Sequence, residues 1–232
     1  MNFKTILLAS AVALAAPAAA FAGDVAYNVA LTSDYVFRGV SQTDEGAALS
    51  AGVDVTAGGW YFGAWASNVD GDFIGSDDLE YDIYGGYKHS FGPITIDVGA
   101  LSYNYLNFIA AVDGGITEFK LGATAALPAN ISAGVTYYTN TGTFGYDYVE
   151  FGASAPLGDL KIGPFGLALA GTYGTMNTEL GNDYDNWKIA LSGTTESGWV
   201  VEAAYTDTDD DGELLYGDLA TERGVLTIKK NF

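Results

Sequence analysis

A two-residue alternation of apolar with small or polar side chains runs through most of this sequence and constrains the fold more than any other feature. From Val25 to Phe37 the odd positions carry mostly apolar or aromatic residues, and the even positions mostly small or polar ones. Successive side chains of a strand point to opposite faces, so the pattern predicts one long first strand over residues 24–37. The alternation recurs in about twelve segments, which predicts an all-β protein.

The breaks between these segments are of two alternating kinds. The short kind, built mostly on Gly or Pro, falls near residues 58, 92, 129, 160 and 197. The longer kind, which is often acidic, falls near residues 43, 74, 111, 142, 179 and 213. A bacterial barrel with an even number of strands has short periplasmic turns and longer outer loops. The sequence therefore predicts an antiparallel transmembrane β-barrel of about 12 strands, each about ten residues long.

The segment Thr221–Phe232 predicts how such a barrel closes. Leu226, Ile228 and Phe232 share one face of this segment, and Lys229 lies on the other. An apolar last strand is a liability at the edge of an open sheet, but a closed barrel pairs it with the first strand. We therefore expect the last strand to run antiparallel to the first. Phe232 then lies at the periplasmic rim, where the barrel-assembly machinery needs it.

A soluble, exported β-sandwich also has alternating strands, but its outer face is polar and often charged. In this sequence the second face of the strands carries mainly Gly, Ala, Ser and Thr with scattered charges, as a narrow lumen requires. Tyr and Trp recur towards the strand ends, where an interfacial aromatic girdle lies. These features favour a membrane barrel over a sandwich.

The first 22 residues have the parts of a secretory signal peptide. Lys4 is followed by an apolar run from Ile6 to Ala16 and by the small-residue cleavage motif Ala20–Phe21–Ala22. This apolar run is short for a transmembrane anchor. We predict a cleaved signal peptide over residues 1–22 and a barrel domain over residues 23–232. The predicted location is the outer membrane of a Gram-negative bacterium, in contact with its lipid.

Charge and composition exclude several functional classes. The chain has 29 acidic and 9 basic residues, and its formal net charge of −20 disfavours binding to nucleic acid. It contains no cysteine and a single histidine. Disulfides, thiolate metal sites, cysteine nucleophiles and histidine metal cages are therefore excluded. The sequence predicts neither an enzyme nor a cofactor, with the exception of calcium at one acidic segment.

Four segments carry a family resemblance. They are Ser33–Gln42 (SDYVFRGVSQ), Gly63–Val69 (GAWASNV), Glu80–Tyr87 (EYDIYGGY) and Tyr205–Asp209 (YTDTD). In this order they resemble the TorF-type porin family of proteobacteria, and the similarity covers essentially the whole chain after the leader. The resemblance implies an outer-membrane barrel with a transport role and no known substrate.

If the apolar face of the strands contacts lipid, the charged residues of the other face line the lumen. They are Asp34, Arg38, Asp54, Glu80, Asp82, Lys88, Asp97, Glu118, Lys120, Glu150, Lys188 and Glu202. Eight of them are acidic and four basic, and an acidic pore favours cations. About twelve strands lie between the filled interior of small barrels and the open channel of large ones. We predict a narrow pore for passive diffusion of small, cationic or neutral solutes; the alternative is a closed structural barrel whose charges pair across the lumen.

One acidic segment has the spacing of a calcium loop of the D-x-D-x-D-G type. Its candidate ligands are Asp207, Asp209, Asp211 and Asp218. Asp218 replaces the Glu that normally closes such a loop and is one methylene shorter, and the flanks are predicted strands rather than helices. A solvated acidic outer loop is the alternative, and the acidic loops could equally bind a partner at the cell surface.

A membrane-embedded hydrolase is the remaining alternative, and it would use His89 with Ser90. The two residues are adjacent in sequence, and the sequence contains no nucleophile-elbow motif. A histidine of the turn or of the aromatic girdle is the favoured interpretation.

Overall fold

The computed structural model describes residues 23–70, 77–106, 116–140, 145–179 and 181–232. The predicted signal peptide lies outside the described residues. Twelve described strands close into one antiparallel barrel, in which each strand pairs with its neighbours along the chain. The predicted fold, an antiparallel barrel of about 12 strands, is confirmed.

The barrel begins with β1 (Asp24–Thr32), which is followed by a small hairpin of β2 (Val36–Phe37) and β3 (Val40–Ser41). The other barrel strands are β4 (Ala48–Ala57), β5 (Trp60–Asn68), β6 (Asp77–Phe91), β7 (Ile94–Leu106), β8 (Ile116–Ala126), β9 (Ser132–Asn140), β10 (Tyr146–Ile162), β11 (Phe165–Thr178), β12 (Tyr184–Thr194), β13 (Trp199–Thr208) and β14 (Arg223–Asn231). The short connections all lie at one end of the barrel, the turn end, together with the start of β1 and the end of β14. The opposite strand ends, between which the long connections run in sequence, form the other end of the barrel, the loop end.

The last strand closes the barrel on the first, as expected. β14 pairs antiparallel with β1, and Ile228 lies opposite Leu31 in this register. The backbone N–H of Phe232 donates a hydrogen bond to the carbonyl of Tyr27 at 2.9 Å. Closure of this kind leaves no barrel strand with an unpaired edge.

The outward face of the barrel is apolar. Phe62 on β5, Ile83 on β6 and Phe119 on β8 are each more than half exposed. Rows of exposed apolar side chains are a liability in water, but they form the lipid-facing band of a membrane barrel. The alternation in the sequence therefore predicted the two faces of these strands correctly.

The prediction of one long first strand over residues 24–37 is wrong beyond Thr32. The chain leaves the barrel wall at Ser33 and forms a hairpin that points into the lumen. At its tip, Arg38 has a φ of 50° and Gly39 a φ of 86°, which reverses the chain between β2 and β3. The period-two pattern continues through this segment because β2 is itself extended, so the pattern did not reveal the change of direction. We call residues 33–43 the inner hairpin.

The last long connection is partly helical. Helix α1 (Asp210–Tyr216) begins after Asp209, whose side chain accepts a hydrogen bond from the backbone N–H of Gly212 at 3.0 Å. A short 3-10 turn (Gly217–Ala220) follows. Its last residue, Ala220, is fully buried in a cluster that includes Val40 of the inner hairpin. Among the described residues no helix combines the length and the hydropathy needed to cross a membrane.

Candidate functional site

The inner hairpin fills the lumen at the loop end of the barrel. Val40, near its tip, is almost completely buried. It belongs to a cluster of buried side chains from several strands and the last connection: Leu101, Tyr103, Tyr138, Tyr148, Met176, Tyr184 and Ala220. An apolar cluster of this kind inside a barrel leaves little room for water at this level.

Arg38 anchors the tip of the hairpin to the barrel wall. Its guanidinium contacts the Glu118 carboxylate at 2.7 and 3.0 Å through two nitrogens, and the Glu118 side chain has no exposed surface. The guanidinium carbon lies 4.0 Å from the ring centroid of Tyr148. The hydroxyls of Tyr103 and Tyr146 donate to Glu118 at 2.9 and 2.6 Å. Both oxygens of this buried carboxylate are therefore compensated.

A second ion pair anchors the base of the hairpin. Asp34 accepts from Arg223 of β14 at 3.1 Å, from the Ser41 hydroxyl at 2.7 Å and from the Thr43 hydroxyl at 3.0 Å. The contacts of Asp34 with Ser41 and with Thr43 join the two arms of the hairpin. The arginine contact joins the hairpin to the barrel wall.

The lumen towards the turn end is wetter. Lys188 contacts Glu202 at 2.7 Å, and Lys88 and Lys120 contact Asp97 at 3.7 and 2.9 Å. The Lys188 side chain is 27% exposed and that of Lys88 is 23% exposed, whereas that of Arg38 is 6% exposed. The exposure of Lys188 and Lys88 means that water reaches them, whereas the Lys120 side chain, 6% exposed, is as buried as that of Arg38. We call this part of the lumen the vestibule.

Glycines form part of the vestibule wall. Gly122 of β8 and Gly152 of β10 face it, and a Cβ added at Gly152 would meet only atoms 3.7 Å or more away. Tyrosine hydroxyls bind two of the vestibule carboxylates: Tyr84 donates to Asp54 at 2.7 Å, and Tyr61 donates to Asp97 at 2.8 Å.

All twelve residues predicted to line the lumen lie on the inner face of the barrel wall or on the inner hairpin. Asp34, Arg38, Glu80, Asp82 and Glu118 lie at the level of the hairpin. The others lie below it: Asp54, Lys88, Asp97, Lys120, Glu150, Lys188 and Glu202. The structure places these side chains in the lumen, but their role in lining a conducting path stays a prediction.

Two cationic residues of the lumen, Arg223 and Lys229, are absent from the predicted lining set. Both belong to β14, where the alternation places Lys229 on the face opposite Leu226 and Ile228. Arg223 and Lys229 both occupy odd positions of β14, so the two-residue alternation that places Lys229 on the inner face also places Arg223 there. With both included, the charged residues that the described ranges bring to the lumen are eight acidic and six basic ones.

The comparison with protein families decides the family. A model for bacterial proteins of unknown function, Gcw_chp, matches residues 15–232. The chain belongs to the Gcw_chp family. The finer assignment to TorF-type porins stays a prediction. Among curated proteins, none matches the sequence.

Solved porin structures share the barrel of this Gcw_chp protein. The KdgM porin superposes with a TM-score of 0.59 at 6% identity, over 91% of this chain and 98% of KdgM. KdgM porin in complex with disordered oligogalacturonate gives a TM-score of 0.60 at 7% identity, over 91% of this chain and 99% of that one. The NanC porin gives 0.56 at 10% identity, over 90% and 99% of the two chains. At identities this low the likeness shows a shared fold, that of outer-membrane porins.

The acidic segment of this Gcw_chp protein does not form an open loop over its whole length. Asp211 lies within α1, Asp218 lies in the 3-10 turn, and the Asp209 carboxylate already caps the helix. Carboxylate oxygens of Asp207, Glu213 and Glu222 lie within 4.8 Å of one another. Of these three residues, Asp207 alone belongs to the predicted ligand set. Calcium binding by Asp207, Asp209, Asp211 and Asp218 stays a prediction.

His89 lies on the outward face of β6. Its ring stacks on Tyr87 at 6.3 Å and contacts the edge of Phe91 at 4.6 Å. Ser90 lies on the opposite face of the strand and shares a hydrogen bond with Thr95. This arrangement is that of an aromatic girdle at the turn end and gives no support to the hydrolase alternative.

Proposed function

We propose that this protein is a narrow, porin-like channel in the outer membrane of a Gram-negative bacterium, through which small solutes diffuse passively. The observation that carries the proposal is the vestibule, a polar and water-accessible lumen that begins at the turn end and stops at the inner hairpin. The inner hairpin is then the constriction. The predicted cleavage of residues 1–22, assembly by the barrel-assembly machinery and the TorF-type assignment belong to the same proposal.

One observation favours a second candidate, a closed structural barrel. The Arg38–Glu118 pair is almost dry, and the side chains around it form an apolar cluster across the lumen. A hairpin held this firmly would block the lumen permanently rather than narrow it.

Conductance separates the two candidates. The mature chain is reconstituted in planar lipid bilayers beside a variant in which residues 35–42 are replaced by a short Gly-Ser linker. A channel gives single-channel steps for the native protein and larger steps for the variant. Current through the variant alone supports the closed barrel, and no current through either overturns the channel.

We further propose that the channel prefers cations or neutral solutes. Eight acidic residues face six basic ones in the lumen, and the excess lies at the level of the constriction, where selectivity is set. The reversal potential in a KCl gradient measures the preference directly. A potential of the sign for chloride overturns this part of the proposal and leaves the channel itself in place.

A further inference from the structure

Two neighbouring carboxyl groups of β6 are buried without an opposite charge. Glu80 is 2% exposed and Asp82 is 8% exposed, and both side chains point to the inner face at the level of the inner hairpin. They are two residues apart on one face, so their Cα atoms are about 7 Å apart. Coulombic repulsion between two carboxylates at this spacing is strong in a buried site.

One oxygen of each group is unsatisfied. Among the described residues, Oε2 of Glu80 and Oδ1 of Asp82 have no hydrogen-bond partner. The other Glu80 oxygen, Oε1, accepts from the Tyr35 hydroxyl at 3.3 Å. The two carboxyl groups lie within hydrogen-bond reach of each other, and two ionised carboxylates, which only accept, need a proton or a cation between them.

No basic side chain of the protein supplies that partner. After the first 22 residues the sequence contains eight Lys and Arg residues, all within the described residues: Arg38, Lys88, Lys120, Lys161, Lys188, Arg223, Lys229 and Lys230. Both arginines and three of the lysines, Lys88, Lys120 and Lys188, form ion pairs with carboxylates other than Glu80 and Asp82. Lys229 lies on β14, which is not a neighbour of β6 in the barrel. Lys161 and Lys230 lie at the turn end, at the opposite end of the barrel.

We propose that Glu80 and Asp82 bind a hard divalent cation, for which Ca²⁺ is the probe. Two carboxylates carry the charge that such an ion balances, and oxygen atoms are its preferred ligands. The Tyr35 hydroxyl adjoins the site and offers a further oxygen. Leaving both carboxylates charged and unpaired in the interior is strongly unfavourable, so an external positive charge is required for both to stay ionised.

The site has a structural consequence for the inner hairpin. Tyr35 lies at the base of the hairpin, and its ring packs edge-on against Trp65 of β5 at 5.3 Å. An ion at Glu80 and Asp82 therefore stabilises the hairpin inside the lumen. Ion binding does not depend on whether the barrel conducts.

Calcium titration of the intact barrel tests the proposal. The mature protein is refolded in non-ionic detergent micelles, stripped with EDTA and titrated calorimetrically with CaCl₂ at neutral pH. We expect one site whose affinity falls at least tenfold in the double variant Glu80→Gln/Asp82→Asn, and an unfolding temperature that rises with Ca²⁺ in the native protein only. The single variant Glu80→Gln serves if the double variant does not refold.

Two exposed carboxylates near the turn end provide the matched control. Asp159→Asn/Glu196→Gln removes the same number of carboxylates from exposed positions at the turn end, outside both the Glu80–Asp82 pair and the acidic last connection, and it is expected to keep the site and the thermal shift. Equal binding by the native protein and the Glu80/Asp82 variants overturns the proposal. The absence of any calcium effect overturns it too, because the pair is then neutralised by a proton.

Discussion

Arg38 and Glu118 show why the surroundings of an ion pair decide its energetic weight. Their side chains are 6% and 0% exposed, so removing one partner leaves the other as an uncompensated buried charge. Lys188 and Glu202 are joined at the same distance, but water reaches the lysine. A solvated lysine pair contributes little, whereas breaking a buried pair costs about 3–5 kcal/mol.

We therefore expect Arg38→Ala to lower the free energy of unfolding by about 3–5 kcal/mol and Lys188→Ala by less than about 1 kcal/mol. Arg38→Lys keeps the charge but loses the two-nitrogen contact and the stacking on Tyr148, so it falls between them. Urea unfolding of the refolded barrel, followed by tryptophan fluorescence, measures all three. Equal losses for Arg38→Ala and Lys188→Ala would contradict a dry site at the hairpin.

Gly39 limits the tip of the inner hairpin in two ways. Its φ of 86° is unfavourable for any residue with a Cβ, by about 1–2 kcal/mol. A Cβ would also lie 2.5 Å from Cγ2 of Thr208 and 2.9 Å from Cβ of Asn186, which belongs to the wall.

Gly39→Ala is consequently expected to destabilise the barrel more than Gly163→Ala. Gly163 has a φ of 57° in a turn where nothing lies within 4 Å of an added Cβ, so it isolates the conformational cost. The difference between the two losses, measured by the same urea unfolding, reports the contact at the tip. Identical losses would mean that the hairpin does not occupy the lumen.

The inner hairpin and helix α1 are the elements that the sequence did not predict, and the hairpin is the one that fills the lumen. Alternation assigned Glu118 and Lys120 to the correct face, because a strand in a barrel has only two faces. It could not show that Arg38 contacts Glu118, which lies 80 residues later in the chain. Assigning a residue to a face says neither how far along the lumen it lies nor which residue it contacts. The reversal at Arg38 and Gly39 depends on two backbone angles and on the fit of the tip, neither of which changes a period-two pattern.

The closing strand is an element whose importance can be tested at its end. Phe232 extends the pairing of β14 beyond Asn231 through its hydrogen bond to Tyr27, and Lys230 lies over the rings of Trp199 and Phe232 while it contacts the carbonyl of Ser197. Lys230 thus reaches the rim, where a charge costs little.

Deletion of Phe232 is expected to impair assembly, whereas Lys230→Tyr is expected to leave it intact. The fraction of protein that migrates as a compact, heat-modifiable barrel after expression measures assembly. Normal assembly of the shortened chain would contradict the prediction that closure of β14 on β1 requires Phe232.

At the scale of the whole molecule, the distribution of charge is more informative than the net charge. A chain with a net charge of −20 places six of its nine basic residues in the lumen, where carboxylates of the wall or the hairpin surround them. The vestibule holds four lysines and four carboxylates, so its charges balance. The acidic excess of the lumen is confined to the hairpin level, at Glu80 and Asp82.

This balance predicts how a vestibule variant changes selectivity. Lys229 of β14 lies near Asp54 and Glu202, and Lys229→Gln leaves these carboxylates with one cation fewer. The cation-to-anion permeability ratio should rise by about two- to threefold, because a local negative charge lowers the energy of a passing cation. The reversal potential in a KCl gradient measures the ratio, and Lys161→Gln, an exposed change of the same charge at the turn end, is the control. An equal shift in both variants would locate the effect at the barrel surface, and an unchanged ratio in Lys229→Gln would show that ions do not pass through the vestibule.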